Sequence, residues 1–146
     1  MLSITGPGRE GVRSRAGGVC EYCRLPEIPM AAGAPFEVEH IMPRSRHPGT
    51  RVAANDPSNL AWACRRCNLH KRDHTEGVDP LTGGRDRLLN PREDAWENHF
   101  KALPSGTIIG LSAIGRVTVA VLKFNDDPHA VKGRALLWEV RWWPAR

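Results

Sequence analysis

Two Cys-x-x-Cys pairs, Cys20/Cys23 and Cys64/Cys67, constrain this chain more than any other feature. Each pair brings two sulfurs to one tight turn, and two such turns supply the ligands of a tetrahedral site. In a reducing compartment the pattern points to metal rather than to disulfides. The competing readings are a redox pair or a set of small buried hydrophobes. Redox use needs one pair only, whereas two pairs with no thiol left over suit a structural Zn²⁺ on Cys20, Cys23, Cys64 and Cys67. Residues 24–63 separate the pairs. That interval is too long for a simple zinc ribbon, so a further unit is inserted between the two turns.

With 146 residues the chain is the size of one domain, and a metal staple helps so modest a core. Residues 1–18 are rich in Gly, Arg and Ser and are expected to be mobile. Residues 25–35 hold three prolines and read as a loop. Residues 36–41 read as a strand stopped by Pro43, and Leu60–Ala63 as its antiparallel return. The basic stretch 44–58 between them reads as a loop of turn formers. A helix is expected from Cys67 to about His74. Residues 77–90 read as turns.

Asn90-Pro91-Arg92-Glu93 has the signature of a helix start, with Trp96, Phe100 and Leu103 falling on one face. Residues 107–111 suit a strand. Residues 115–124 are β-branched, yet Val117, Ala120, Val121 and Phe124 recur at helical spacing, which favours helix. A last helix from Asp127-Pro128 aligns Val131, Ala135, Trp138 and Trp142. The expected class is α+β: a flexible terminus (1–18), a metal-binding core (19–76) and a mainly helical extension packed on it (77–146).

Lys and Arg number 21 against 16 Asp and Glu, a net charge of +5 that favours a polyanionic partner without requiring one. The most apolar window, 107–114, is too short to cross a bilayer, and the first 18 residues lack the apolar centre of a secretion signal. The expectation is a cytoplasmic protein with no membrane partner, monomeric by default with a dimer as the alternative.

Between and just after the cysteine pairs lie Glu39-His40-Ile41-x-Pro43-Arg44-Ser45 and Asn59-Leu60-Ala61-x-Ala63-Cys64-x-x-Cys67-Asn68-x-x-Lys71. Over residues 20–72 this run resembles the HNH endonuclease family in its zinc-knuckle form. The spacing of Asn59, Asn68 and Lys71 is similar to that in the HNH domain of RNA-guided CRISPR nucleases. The resemblance implies a small ββα-metal core in which two antiparallel strands and a helix surround one divalent ion, Mg²⁺ or Mn²⁺. It implies Glu39 and Asn68 as ligands of that ion, His40 as general base and Asn59 as a loop brace. Glu39 departs from the Asp or His usual at its position, but is chemically able to bind such an ion. After residue 77, the D-P-x-T-G and L-x-N-P-R-x-D-x-W runs resemble extensions of bacterial and phage HNH proteins.

The residue types suit phosphodiester hydrolysis. A histidine near its ordinary pKa offers a large neutral fraction to take a proton from water. A hard cation on oxygen ligands can polarise the phosphate and stabilise the leaving oxygen. Lys71 shares a helix face with Asn68, three residues away, and with Arg72 is expected at the phosphate, unless both lie on a plain solvated face. Arg44, Arg46 and Arg51 on the inter-strand loop are the further candidates for DNA contact. The function implied is DNA hydrolysis, with RNA open as a substrate. The alternative is a zinc-dependent nucleic-acid-binding module without catalysis.

Overall fold

The computed structural model describes residues 6–28 and 35–146. Along the chain run α1 (Gly6–Ala16), β1 (Glu37–His40), α2 (Arg51–Ala54), a 3-10 turn (Pro57–Asn59), β2 (Leu60–Ala63), α3 (Arg65–Lys71) and β3 (Glu76–Val78). There follow β4 (Arg85–Arg87), α4 (Trp96–His99), β5 (Phe100–Ala102), β6 (Ile108–Gly110), α5 (Ala113–Val121) and α6 (Pro128–Glu139). The strands form three antiparallel pairs, β1–β2, β3–β4 and β5–β6. The architecture is the expected α+β mixture.

β1 and β2 pair in the register Glu37–Ala63, Val38–Trp62, Glu39–Ala61 and His40–Leu60. Successive side chains point to opposite faces, so the alternation sorts two environments. One face carries Val38, Leu60 and Trp62 and packs with Val12 of α1. On the other, Ala61 and Ala63 are small enough to leave room beside Glu37 and Glu39, and both alanines are fully buried in the main core. That core also takes in the cysteines, Tyr22, Trp96, Phe100, Val117, Leu122, Phe124 and Trp143, so the hairpin and the C-terminal half share one apolar interior.

Five local expectations are corrected. Residues 6–16 are helical, although Gly and Pro are poor helix formers. Tertiary contacts outweigh propensity there. Val12 is buried, Arg9 lies over the Trp62 ring at 4.6 Å, and Arg15 donates to the carbonyls of Pro57 and Leu60 at 2.9 and 2.6 Å. Residues 1–5, the rest of the expected mobile terminus, lie outside the described residues, as do 29–34 of the expected loop.

The basic connection contains α2, whose start is capped by Thr50 Oγ1 accepting from Ala53 N at 3.1 Å. The expected turns at 77–90 contain the β3–β4 pair, which docks on α5. The helix expected from Asn90 is limited to Trp96–His99, because Phe100 leaves as β5 and pairs with Gly110. Trp96 and Phe100 nonetheless pack in a tilted pair, with ring centres 5.0 Å apart. The helical reading of 115–124 and the strand at 107–111 match α5 and β6. In the last helix Trp142 falls beyond the end and is 57% exposed, while Trp143 is buried. Among the described residues no helix is long and apolar enough to cross a membrane.

Candidate metal and nuclease site

The four cysteines converge. Their ligand sulfurs all lie within 4.8 Å of one another, and each cysteine is buried. Cys23 Sγ and Cys64 Sγ are 3.8 Å apart. With Zn–S bonds of about 2.3 Å, the edge of a tetrahedron of sulfurs is about 3.8 Å, so the donor set fits Zn²⁺.

Local sequence explains the convergence. The first pair closes a turn in which Arg24 N donates to Cys20 O and Cys20 N donates to Leu25 O, both at 2.9 Å. Cys64 is the N-cap of α3, its sulfur accepting from Cys67 N at 3.4 Å. Hydrogen bonding from Cys20, Cys23 and Cys67 holds the Cys64 thiol far below its ordinary range, so a thiolate is favoured at that position.

Above the sulfurs lies a buried polar cluster. Tyr22, inside the first turn, donates its hydroxyl to Glu39 Oε2 at 2.5 Å. Glu39 is only 3% exposed, and its Oε1 is in ion-pair contact with Lys71 Nζ without a directed hydrogen bond. Lys71 spends its hydrogens on the carbonyls of His40 and Ile41, at 3.1 and 3.0 Å. Burial pushes the Glu39 carboxyl above its ordinary range, while Lys71 and the Tyr22 hydroxyl pull it down.

Lys71 is 1% exposed, so it is an internal cation rather than the solvent-facing phosphate contact its sequence position suggests. Glu39 and Asn68, expected to share one divalent ion, hold different partners. Asn68 Nδ2 donates to Glu37 Oε2 at 2.5 Å, and both Glu39 oxygens are committed to Tyr22 and Lys71.

His40 stands at the open end of β1, half-buried, with Nε2 2.7 Å from Asn55 Oδ1. Burial chiefly pushes its pKa below the ordinary 6.5, and the charges of Arg44, Lys71 and His47 push the same way against the Asn55 hydrogen bond. The imidazole is therefore neutral near pH 7. Asn59 clasps the loop, its Oδ1 accepting from Met42 N at 2.8 Å and its Nδ2 donating to Met42 O and Ala54 O at 3.0 and 2.9 Å.

Arg46, Arg51 and Arg72 are exposed, Arg44 partly so. Arg46 also reaches the carbonyl of Asp73 at 3.2 Å, linking the loop to the end of α3. Sequence reasoning missed Tyr22, Glu37 and Asn55. Tyr22 had a signal in its place between two ligands, whereas Asn55 was hidden in a run of turn formers.

Residues 20–74 match the family model described as HNH endonuclease. The segment belongs to the HNH family. The HNH match takes in both cysteine pairs, His40, Asn59, Asn68 and Lys71. The chain is also 32% identical over 120 residues to the Septu protein PtuB of Bacillus thuringiensis. That alignment covers 81% of this chain and 41% of the relative, so the chain spans about two fifths of the relative's length. No solved structure matches the chain.

Proposed function

We propose that this chain is an endonuclease that hydrolyses DNA phosphodiester bonds, with His40 as the general base. The supporting observation is a half-buried imidazole, kept neutral by burial and by surrounding positive charge, at the open end of the HNH hairpin. A water oxygen attacks phosphorus, and its proton passes to His40. The bond from phosphorus to the 3′ oxygen breaks, and that oxygen leaves with the electron pair and takes up a proton. Arg44, Arg46, Arg51 and Arg72 hold the backbone phosphates by charge. Zn²⁺ on the four cysteines supplies folding energy and no chemistry.

A divalent ion, Mg²⁺ or Mn²⁺, enters this reading through the family. Glu39 and Asn68 would hold such an ion, which would polarise the phosphate, and the chemistry assigned here is confined to His40. The test is nicking of supercoiled plasmid in the presence of Mg²⁺, with His40→Ala beside the wild type. Loss of a general base lowers the rate by about two to four decades while DNA binding persists. Equal nicking by the two proteins, at equal melting temperature, would exclude His40 as base. Tight DNA binding by a wild type that never nicks would favour the alternative, a zinc-dependent binding module. Parallel RNA substrates decide between the two nucleic acids.

A further inference from the structure

His40 Nε2 faces Asn55 Oδ1 at 2.7 Å. A carboxamide oxygen only accepts, so the ring nitrogen facing it carries the hydrogen. In the neutral imidazole the free lone pair is then on Nδ1.

The seat of Asn55 is built for this contact. Asn55 closes α2, and its own backbone N–H bonds the carbonyls of Arg51 and Val52 at 3.1 and 3.2 Å. The helix end is thus satisfied by backbone, which leaves the side chain to His40. Asn59 fixes the separation between the two partners. It bonds Met42, two residues after His40, and Ala54, the residue before Asn55. Ala54 is 1% exposed and gives the clasp a rigid anchor.

We propose that Asn55 is a positioning residue that holds His40 as the Nε2–H tautomer, so that Nδ1 takes the proton from the attacking water. The proposal rests on the reading of His40 as base. It adds a residue to the His40, Asn59 and Asn68 set, and it gives the Asn59 clasp a purpose, since the clasp orients Asn55 against His40.

The experiment pairs imidazole ¹⁵N NMR at pH 8 with single-turnover plasmid nicking, on wild type, Asn55→Ala and Asn55→Asp. The wild-type His40 should show a protonated Nε2 and a bare Nδ1. Asn55→Ala should give a mixture of tautomers and lose about 10- to 100-fold in nicking rate, as is usual when the partner that orients a histidine is removed. DNA affinity should be unchanged. Asn55→Asp keeps an acceptor oxygen and should recover both the Nε2–H form and a rate above that of Asn55→Ala.

A wild-type ring protonated on Nδ1 would overturn the proposal, since Asn55 would then donate through its amide. So would an Asn55→Ala protein with the wild-type tautomer, or one with mixed tautomers and an undiminished rate. The wild-type spectrum decides the tautomer even where a variant fails to fold. If the wild type cuts no DNA, the nuclease reading fails, while the NMR arm still decides whether Asn55 sets the ring.

Discussion

Lys71 Nζ and Glu39 Oε1 form an ion pair in which the side chains are 1% and 2% exposed, beneath the strand end that carries His40. Breaking a buried pair on one side leaves an uncompensated charge and costs about 3–5 kcal/mol, whereas an exposed pair is worth about 1 kcal/mol or less. Lys71→Ala should therefore lower the melting temperature sharply, and adding Glu39→Gln should recover part of the loss. A double-mutant cycle by denaturant unfolding checks this. A Lys71→Ala protein of unchanged stability but weakened DNA binding would return Lys71 to the surface role its sequence position suggested.

The cysteine cluster should be a folding element. Cys64→Ser removes one of four converging sulfurs while leaving a hydroxyl able to cap α3, and should abolish cooperative thermal unfolding. Metal content by mass spectrometry and circular dichroism on the same samples make the comparison. A variant that lost its metal but kept its melting transition would show the site to be dispensable for the fold.

Activity should depend on pH through His40. The neutral imidazole is the working form, and burial holds its pKa below 6.5. The rate should be full near pH 7 and fall as pH drops through that lowered pKa. The acid limb of kcat/KM thus has its midpoint below 6.5. A midpoint above 6.5 in a plasmid-nicking profile would mean that an anion, not burial, governs the ring.

Stability should show a separate acid shoulder from Asp79. This carboxylate receives Arg116 Nε and Nη2, both at 2.9 Å, and Leu81 N at 2.9 Å, tying the β3–β4 turn to α5. The Arg116 hydrogen bonds, aided by the Leu81 amide, hold its pKa at about 2 against an ordinary 3.8. A folded pKa below the unfolded one means stability present above pH 3.8 and lost as pH falls towards 2. Asp79→Asn should lower the melting temperature at pH 6, with the gap to wild type closing over that acid range.

The hairpin and the metal turns were legible because they rest on short-range rules. Alternating side chains, paired cysteines and a strand stopped by Pro43 need no knowledge of distant contacts. What the sequence concealed depends on partners far along the chain. Helix α1 forms because Arg9 and Arg15 find Trp62, Pro57 and Leu60. The segment after Trp96 turns to strand because Gly110 is there to pair with Phe100. Lys71 looked like a surface cation because nothing local shows that Glu39 and Tyr22 enclose it.

Trp143 donates its indole N–H to the carbonyl of Cys23 at 2.9 Å, and Trp96 does the same to Tyr22 at 2.7 Å. The braces of the first metal turn are thus made late in the chain, Trp143 being 120 residues beyond Cys23. Closing so long a loop loses entropy before its contacts form, which makes it a slow event in folding. The first metal turn therefore gains these two braces only when Trp96 and Trp143 have docked on it.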